Sequence, residues 1–108
     1  MTRLAAGLWV QAYLLRLQQE AIPAYVVARG DSTAGAILVK LAPLDGTARL
    51  FQRVTAMDGS RPWQVLADGP EAEVDATIAR QRRADPDLWV IEVEDRAGRH
   101  LLDTPGLD

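Results

Sequence analysis

Asp85, Asp87, Glu92, Glu94, Asp95 and His100 form the densest polar cluster in the chain and carry enough oxygen and imidazole donors for a divalent cation. On a strand, side chains two residues apart share a face, so Glu92 and Glu94 would point the same way and could hold Mg²⁺. In metal-dependent nuclease cores an acidic pair is followed by Glu-x-Lys, whose lysine stabilises phosphate charge; here Glu94 stands where that lysine would be. Without the cation the simpler reading is a solvated strand edge, with Asp85-Pro86 ending a helix and His100 a satisfied surface histidine. A small metal-dependent enzyme built on Asp85, Asp87, Glu92, Glu94 and His100 is the alternative, and no cofactor is expected.

Arg49, Phe51 and Arg53 alternate and would share one strand face, an arrangement that could stack a single-stranded base and hold its phosphates. The glycine-aromatic signatures of common RNA-binding sheets are absent, and 12 basic against 15 acidic residues give a net charge of −3. A polar outer sheet face is therefore preferred, and no nucleic-acid partner is expected. The two serines, Ser32 and Ser60, fall in loops outside any G-x-S-x-G elbow, and a single histidine is there to serve them. The segment Gly30 to Gly35 lacks the phosphate-loop pattern and joins two strand-like runs.

Leu8 and Leu15 pose a different problem. Val10, Tyr13, Leu14, Leu17 and Ala21 recur at helical spacing, which predicts an amphipathic helix over about residues 6–21 ending before Pro23. On that helix Leu8 and Leu15 lie roughly 120° from the stripe, on a flank otherwise bearing Gln11, Gln18 and Gln19. A second apolar face needs a partner, either another part of the monomer or a second copy of the chain, and a homodimer contact through Leu8 and Leu15 is the expectation.

The elements that would carry these residues follow from pattern and turn chemistry. Residues 25–29, 36–41, 47–54 and 63–67 are rich in β-branched or aromatic residues and separated by glycine, proline and Asp-Gly signals, which reads as a meander with two hairpins at 30–35 and 43–46. Asp68-Gly69-Pro70-Glu71 looks like the cap of a second helix, with Glu71, Glu73 and Asp75 near its positive end and Arg80, Arg82 and Arg83 near its negative end. Only Val74 and Ile78 give that helix an apolar stripe. A last strand, 88–94, carries Trp89, Ile91 and Val93 on one face and is expected inside the sheet; His100-Leu101-Leu102 would pair back as a short arm, and 104–108 would fray.

Composition bounds the rest. At 108 residues, 48% hydrophobic and 25% charged, the chain is expected to be a single globular domain over 1–108 with one sheet-centred core. Eleven of the 12 basic residues are arginine, which GC-rich coding explains without function. The absence of cysteine excludes disulfides, thiolate metal sites and cysteine nucleophiles. Gln11 and Arg16 interrupt the apolar N-terminal stretch, so it reads as a helix and not a signal peptide, and no run reaches the roughly 18–20 apolar residues of a membrane span. A soluble cytoplasmic protein with no membrane partner is expected.

Four stretches, Trp9 to Leu14, Gly35 to Lys40, Leu44 to Thr47 and above all Asp85 to Arg96, resemble the small bacterial proteins catalogued as domain of unknown function 1491, over nearly the whole chain. The resemblance implies a single-domain bacterial protein and brings no catalytic or binding residues with it. The expected architecture is α+β, an antiparallel sheet of four to five strands with two helices on one face, in the order α-β-β-β-β-α-β. The expected function is that of a non-catalytic binding or interaction module that self-associates.

Overall fold

In the computed structural model, which describes residues 4–107, the first helix α1 spans Ala6–Gln19 and buries Ala6, Trp9, Val10, Tyr13 and Leu17. Its end is set by backbone hydrogen bonds: Ala21 N–H donates to the Gln18 carbonyl at 3.0 Å and Ile22 N–H to that of Leu17 at 2.9 Å, with Ala21 at φ 57°. This is a Schellman stop, closed by the buried pair Leu17 and Ile22 and followed by Pro23.

Five strands follow, β1 Ala24–Ala28, β2 Ile37–Ala42, β3 Thr47–Arg53, β4 Trp63–Pro70 and β5 Trp89–Glu94, with helix α2 at Glu71–Ala84 between the last two. The α+β class and the element order agree with the sequence reading. The sheet order is β1-β5-β2-β3-β4, and it is mixed: β2 and β5 run parallel, with Lys40 beside Glu92, while the other pairs are antiparallel. The fully antiparallel meander is corrected at one place, because β5 inserts between β1 and β2. Residues 30–35 are thus not a hairpin. They cross over the start of β5, where Asp31 N–H donates to the Asp87 carbonyl at 2.9 Å and the Trp89 indole N–H to the Asp31 carbonyl at 2.7 Å. Gly30 and Gly35 are required by this crossing: a Cβ would come within 2.2 Å and 2.5 Å, respectively, of the Asp87 carbonyl oxygen. The hairpin at 43–46 forms as expected, with Leu44 and Gly46 at φ 67° and 89°.

The placement of both helices on one face is also corrected. Trp9, Val10, Tyr13 and Leu17 of α1 pack on Val39, Leu41, Phe51, Trp89, Ile91 and Val93, whereas Val74 and Ile78 of α2 pack on Leu38, Leu50 and Val90. These two sets alternate along β2 and β5, so the helices lie on opposite faces. The physical reason is in β2 and β5, which are apolar on both faces; a single helical layer would leave Leu38, Leu50 and Val90 in water.

Three local expectations change as well. β4 runs through Asp68 and Gly69 to Pro70, so Asp68 does not cap α2; it pairs with Arg49 at 3.3 Å, and the first N–H of the helix, Glu71, is taken by the Gly46 carbonyl at 2.9 Å. His100-Leu101-Leu102 forms turns and no strand. The segment 104–107 is packed and not frayed, with Leu107 buried under α1 and its carbonyl accepting the Trp9 indole N–H at 3.3 Å, while Arg16 donates to the Pro105 carbonyl at 2.7 Å. Asp108 lies outside the described residues.

Candidate functional site

The acidic residues near the end of the chain are spread over the fold. Asp85 closes α2 and accepts the Asp87 N–H at 3.1 Å, both at the start of β5, while Glu92 and Glu94 lie towards its other end. Glu92 shares the α2 face with Val90, its neighbour two residues back. His100 is on the α1 side, its ring 4.8 Å from that of Phe51 and its Nδ1 accepting the Leu102 N–H at 3.0 Å. Burial pushes the His100 pKa down, with nearby Arg49 adding to the effect and Asp103 opposing it. Among the described residues no group of three or more His, Asp or Glu side chains is arranged to hold a metal ion.

Glu92 does meet a cation, one that strand-by-strand reading missed. Lys40, the single lysine of the chain and the one buried charged residue among those described, places Nζ 2.8 Å from Glu71, 2.8 Å from Asp75 and 3.3 Å from Glu92. Burial alone would lower its pKa, but the hydrogen bonds it donates to Asp75 and Glu71 and the Glu92 charge outweigh that, and the net shift is upward. The ammonium ties β2, β5 and α2 together. The signal was present in the sequence, since one charge inside the apolar run Ile37–Ala42 must be paired if that strand is central.

Arg49, Phe51 and Arg53 do share a face, as expected, but it is the face beneath α1 and the C-terminal segment. Phe51 is only 7% exposed, so its ring is core and no base can stack on it. Arg49 pairs with Asp68, and Arg53 stacks on Trp63 at 5.3 Å.

The remaining surface is the side of the molecule where α1 overhangs β1. Leu8 and Leu15 are 53% and 56% exposed, so the monomer core does not take them. Below them β1 is one of the two edge strands and, among the described residues, pairs with β5 alone. Its sequence Ala24-Tyr25-Val26-Val27-Ala28 has no charge, and Tyr25, Val26 and Val27 are exposed. Val26 lies opposite Ile91 and therefore faces α1, while Tyr25 lies opposite Glu92 on the other face, where the Glu94 carboxylate pushes the tyrosine pKa up by hydrogen bonding and by its charge. Two grooves run between helix and strand: one of about 350 Å³ lined by Leu8, Leu14 and Val26, the other of about 410 Å³ lined by Leu14, Ile22 and Ala24. Natural sheets blunt such an edge with charge, proline or a bulge; here an irregularity between Val26 and Ala28, the preceding Pro23 and the following Arg29 flank a strand that itself carries no charge. Among the described residues no helix is long and apolar enough to cross a membrane.

Among curated proteins none matches the chain. Among solved structures, it is similar to a DUF1491 family protein from Caulobacter crescentus CB15 in its crystal form, with 44% identity over 92% of this chain and 94% of that one and a TM-score of 0.86. The NMR structure of a DUF1491 family protein from the same organism gives 42% identity over 94% of each chain and a TM-score of 0.84. A protein from A. tumefaciens, solved in solution, is 30% identical over 86% of each chain with a TM-score of 0.73. The model of the family described as "Protein of unknown function (DUF1491)" matches residues 4–103, and the chain belongs to that family.

Proposed function

We propose that this protein is a non-catalytic interaction module that self-associates as a homodimer through the α1–β1 side. The observation that carries the reading is an uncharged, apolar edge strand flanked by two half-exposed leucines. Two copies related by a two-fold axis would bring like edges together antiparallel, satisfy the outward N–H and C=O groups of both β1 strands and cover Leu8 and Leu15. Each leucine fully buried is worth roughly 1.5–3 kcal/mol, enough for four of them to outweigh part of the entropic cost of association. The bacterial cytoplasm is the setting of this reading, supported by relatives from Caulobacter crescentus and A. tumefaciens and by a chain without cysteine.

The test is sedimentation of the purified chain with two kinds of variant. The wild type should sediment as a dimer, while Leu8→Ser with Leu15→Ser, or Val26→Lys alone, should give a folded monomer. A wild type that stays monomeric at high micromolar concentration rejects the reading. A dimer indifferent to both variants moves the contact to another surface.

A further inference from the structure

Among the described residues, 101–107 form turns and pair with no strand; Leu102 and Leu107 are buried, while Asp103, Pro105 and Gly106 are exposed. Side chains of α1 and β3 grip this segment, and the residue before it, by backbone carbonyls. The Tyr13 hydroxyl donates to that of His100 at 2.7 Å, Arg16 to that of Pro105 at 2.7 Å, and the Trp9 indole and Arg53 to that of Leu107 at 3.3 and 3.4 Å. The segment begins at Leu101, whose φ of 59° is a left-handed conformation unfavourable for any residue with a Cβ. His100 closes the turn across it: Nδ1 accepts the Leu102 N–H at 3.0 Å, and the ring lies against Phe51 at 4.8 Å.

We propose that this segment is a strap fastened by His100, and that protonating the imidazole opens it while the sheet and both helices stay folded. A neutral ring accepts the Leu102 N–H, whereas the imidazolium carries a proton on each nitrogen; Nδ1 then meets that N–H as a second donor, and the left-handed turn loses the bond that closes it. Burial disfavours the charged ring, Asp103 of the strap favours it, and Arg49 of β3 opposes it. Tyr13 of α1 is kept neutral by its own burial, and Arg99, the residue before the histidine, is paired with Asp95. The folded-state pKa lies below the ordinary value, so the fastening is complete above about pH 6.5 and is lost as the pH falls below it. Opening breaks no strand pairing, and it leaves Tyr13, Leu17, Val39, Ile91 and Val93 in their core. What it bares is the Trp9 indole N–H and the apolar surface beneath Leu102 and Leu107. The device does not depend on self-association.

Hydrogen exchange of the full chain, with each rate divided by its intrinsic rate at the same pH, tests the strap. The Trp9 indole N–H and the Leu102 and Thr104 amides should be less protected than the Val39 and Ile91 amides at pH 7.5, and should lose a further factor of about ten by pH 5.0, the scale of one hydrogen bond. In His100→Asn, whose side-chain carbonyl can accept the same N–H at either pH, that factor should vanish. Strap groups as well protected as Val39 and Ile91 at both pH values, a protection that does not change with pH, or a pH effect that survives His100→Asn overturns the proposal.

Discussion

His100 and Lys40 show how the surroundings of one side chain decide its chemistry. The Nδ1 of His100 accepts a backbone N–H, which only the neutral ring can do, and burial favours the same form. The folded-state pKa is therefore depressed, the unfolded chain binds the proton more readily, and the stabilisation is complete above the unfolded value of about 6.5 and lost as the pH falls below it. Urea unfolding at pH 7.5 and 5.5 should show the wild type weaker at the lower pH, with the slope reduced in His100→Asn; an unchanged slope would place the proton elsewhere. Lys40 has the reverse sign. Its pKa is raised, so its contribution is fully present below about pH 10.4 and lost only as the pH climbs through the raised value. Lys40→Met leaves Glu71, Asp75 and Glu92 facing one another and should cost about 1–3 kcal/mol, less than the roughly 3–5 kcal/mol of a fully buried pair because Glu71 and Asp75 reach water. That loss, read by chemical denaturation, should hold steady between pH 7 and about pH 9.

At the scale of elements, the clearest departure from local preference is the end of α1. Ala21 adopts φ 57°, a left-handed conformation that costs an alanine roughly 1–2 kcal/mol, and it does so because the Leu17–Ile22 closure and Pro23 fix the exit of the chain. Glycine removes that strain at an entropic cost of roughly 0.5–1 kcal/mol in the unfolded chain. Ala21→Gly should thus stabilise the fold by about 0.5–1 kcal/mol, visible as a melting temperature higher by a few degrees; a lower one would mean that Ala21 makes contacts outweighing its backbone strain. The glycines at 30 and 35 have a different origin. Neither has positive φ, and both are demanded by the passage of one backbone over another.

At the scale of the molecule, the C-terminal segment completes the α1 face. Leu102 and Leu107 sit in the same core as Ile91 and as Trp9, which lies 98 residues before Leu107 in the chain, and Trp9, Arg16 and Arg53 all donate to carbonyls between 105 and 107. Leu107→Ala should therefore cost about 2–3 kcal/mol in equilibrium unfolding, the range for truncating a buried leucine near a rim that can partly collapse. A change within about 0.5 kcal/mol, the scale of an ordinary surface substitution, would show the segment to be loosely held in solution.

What the sequence determined by itself was set by the periodicity of single elements and by the turn chemistry at their ends that no distant strand overrides; the hairpin expected at 30–35 and the cap expected at Asp68 did not survive pairing. The 3.6-residue stripe from Val10 to Leu17, the proline stop, the hairpin at 43–46, the narrow stripe of Val74 and Ile78 and the shared face of Trp89, Ile91 and Val93 all depend on neighbours a few residues away, and all appear in the fold. Of the interaction surface, the sequence identified Leu8 and Leu15 as lying off the core stripe, since that is a property of the helix alone. Strand order was not legible, because pairing joins residues far apart in the chain, and the insertion of β5 between β1 and β2 is what moves α2 to the second face and brings Lys40 to Glu92. For the same reason Phe51, which looks exposed beside two arginines in sequence, ends under His100, and the apolar edge at Tyr25 to Val27 becomes an edge only once β5 has taken the place on its inner side. Periodicity fixes which residues share a face; only tertiary pairing decides what that face meets.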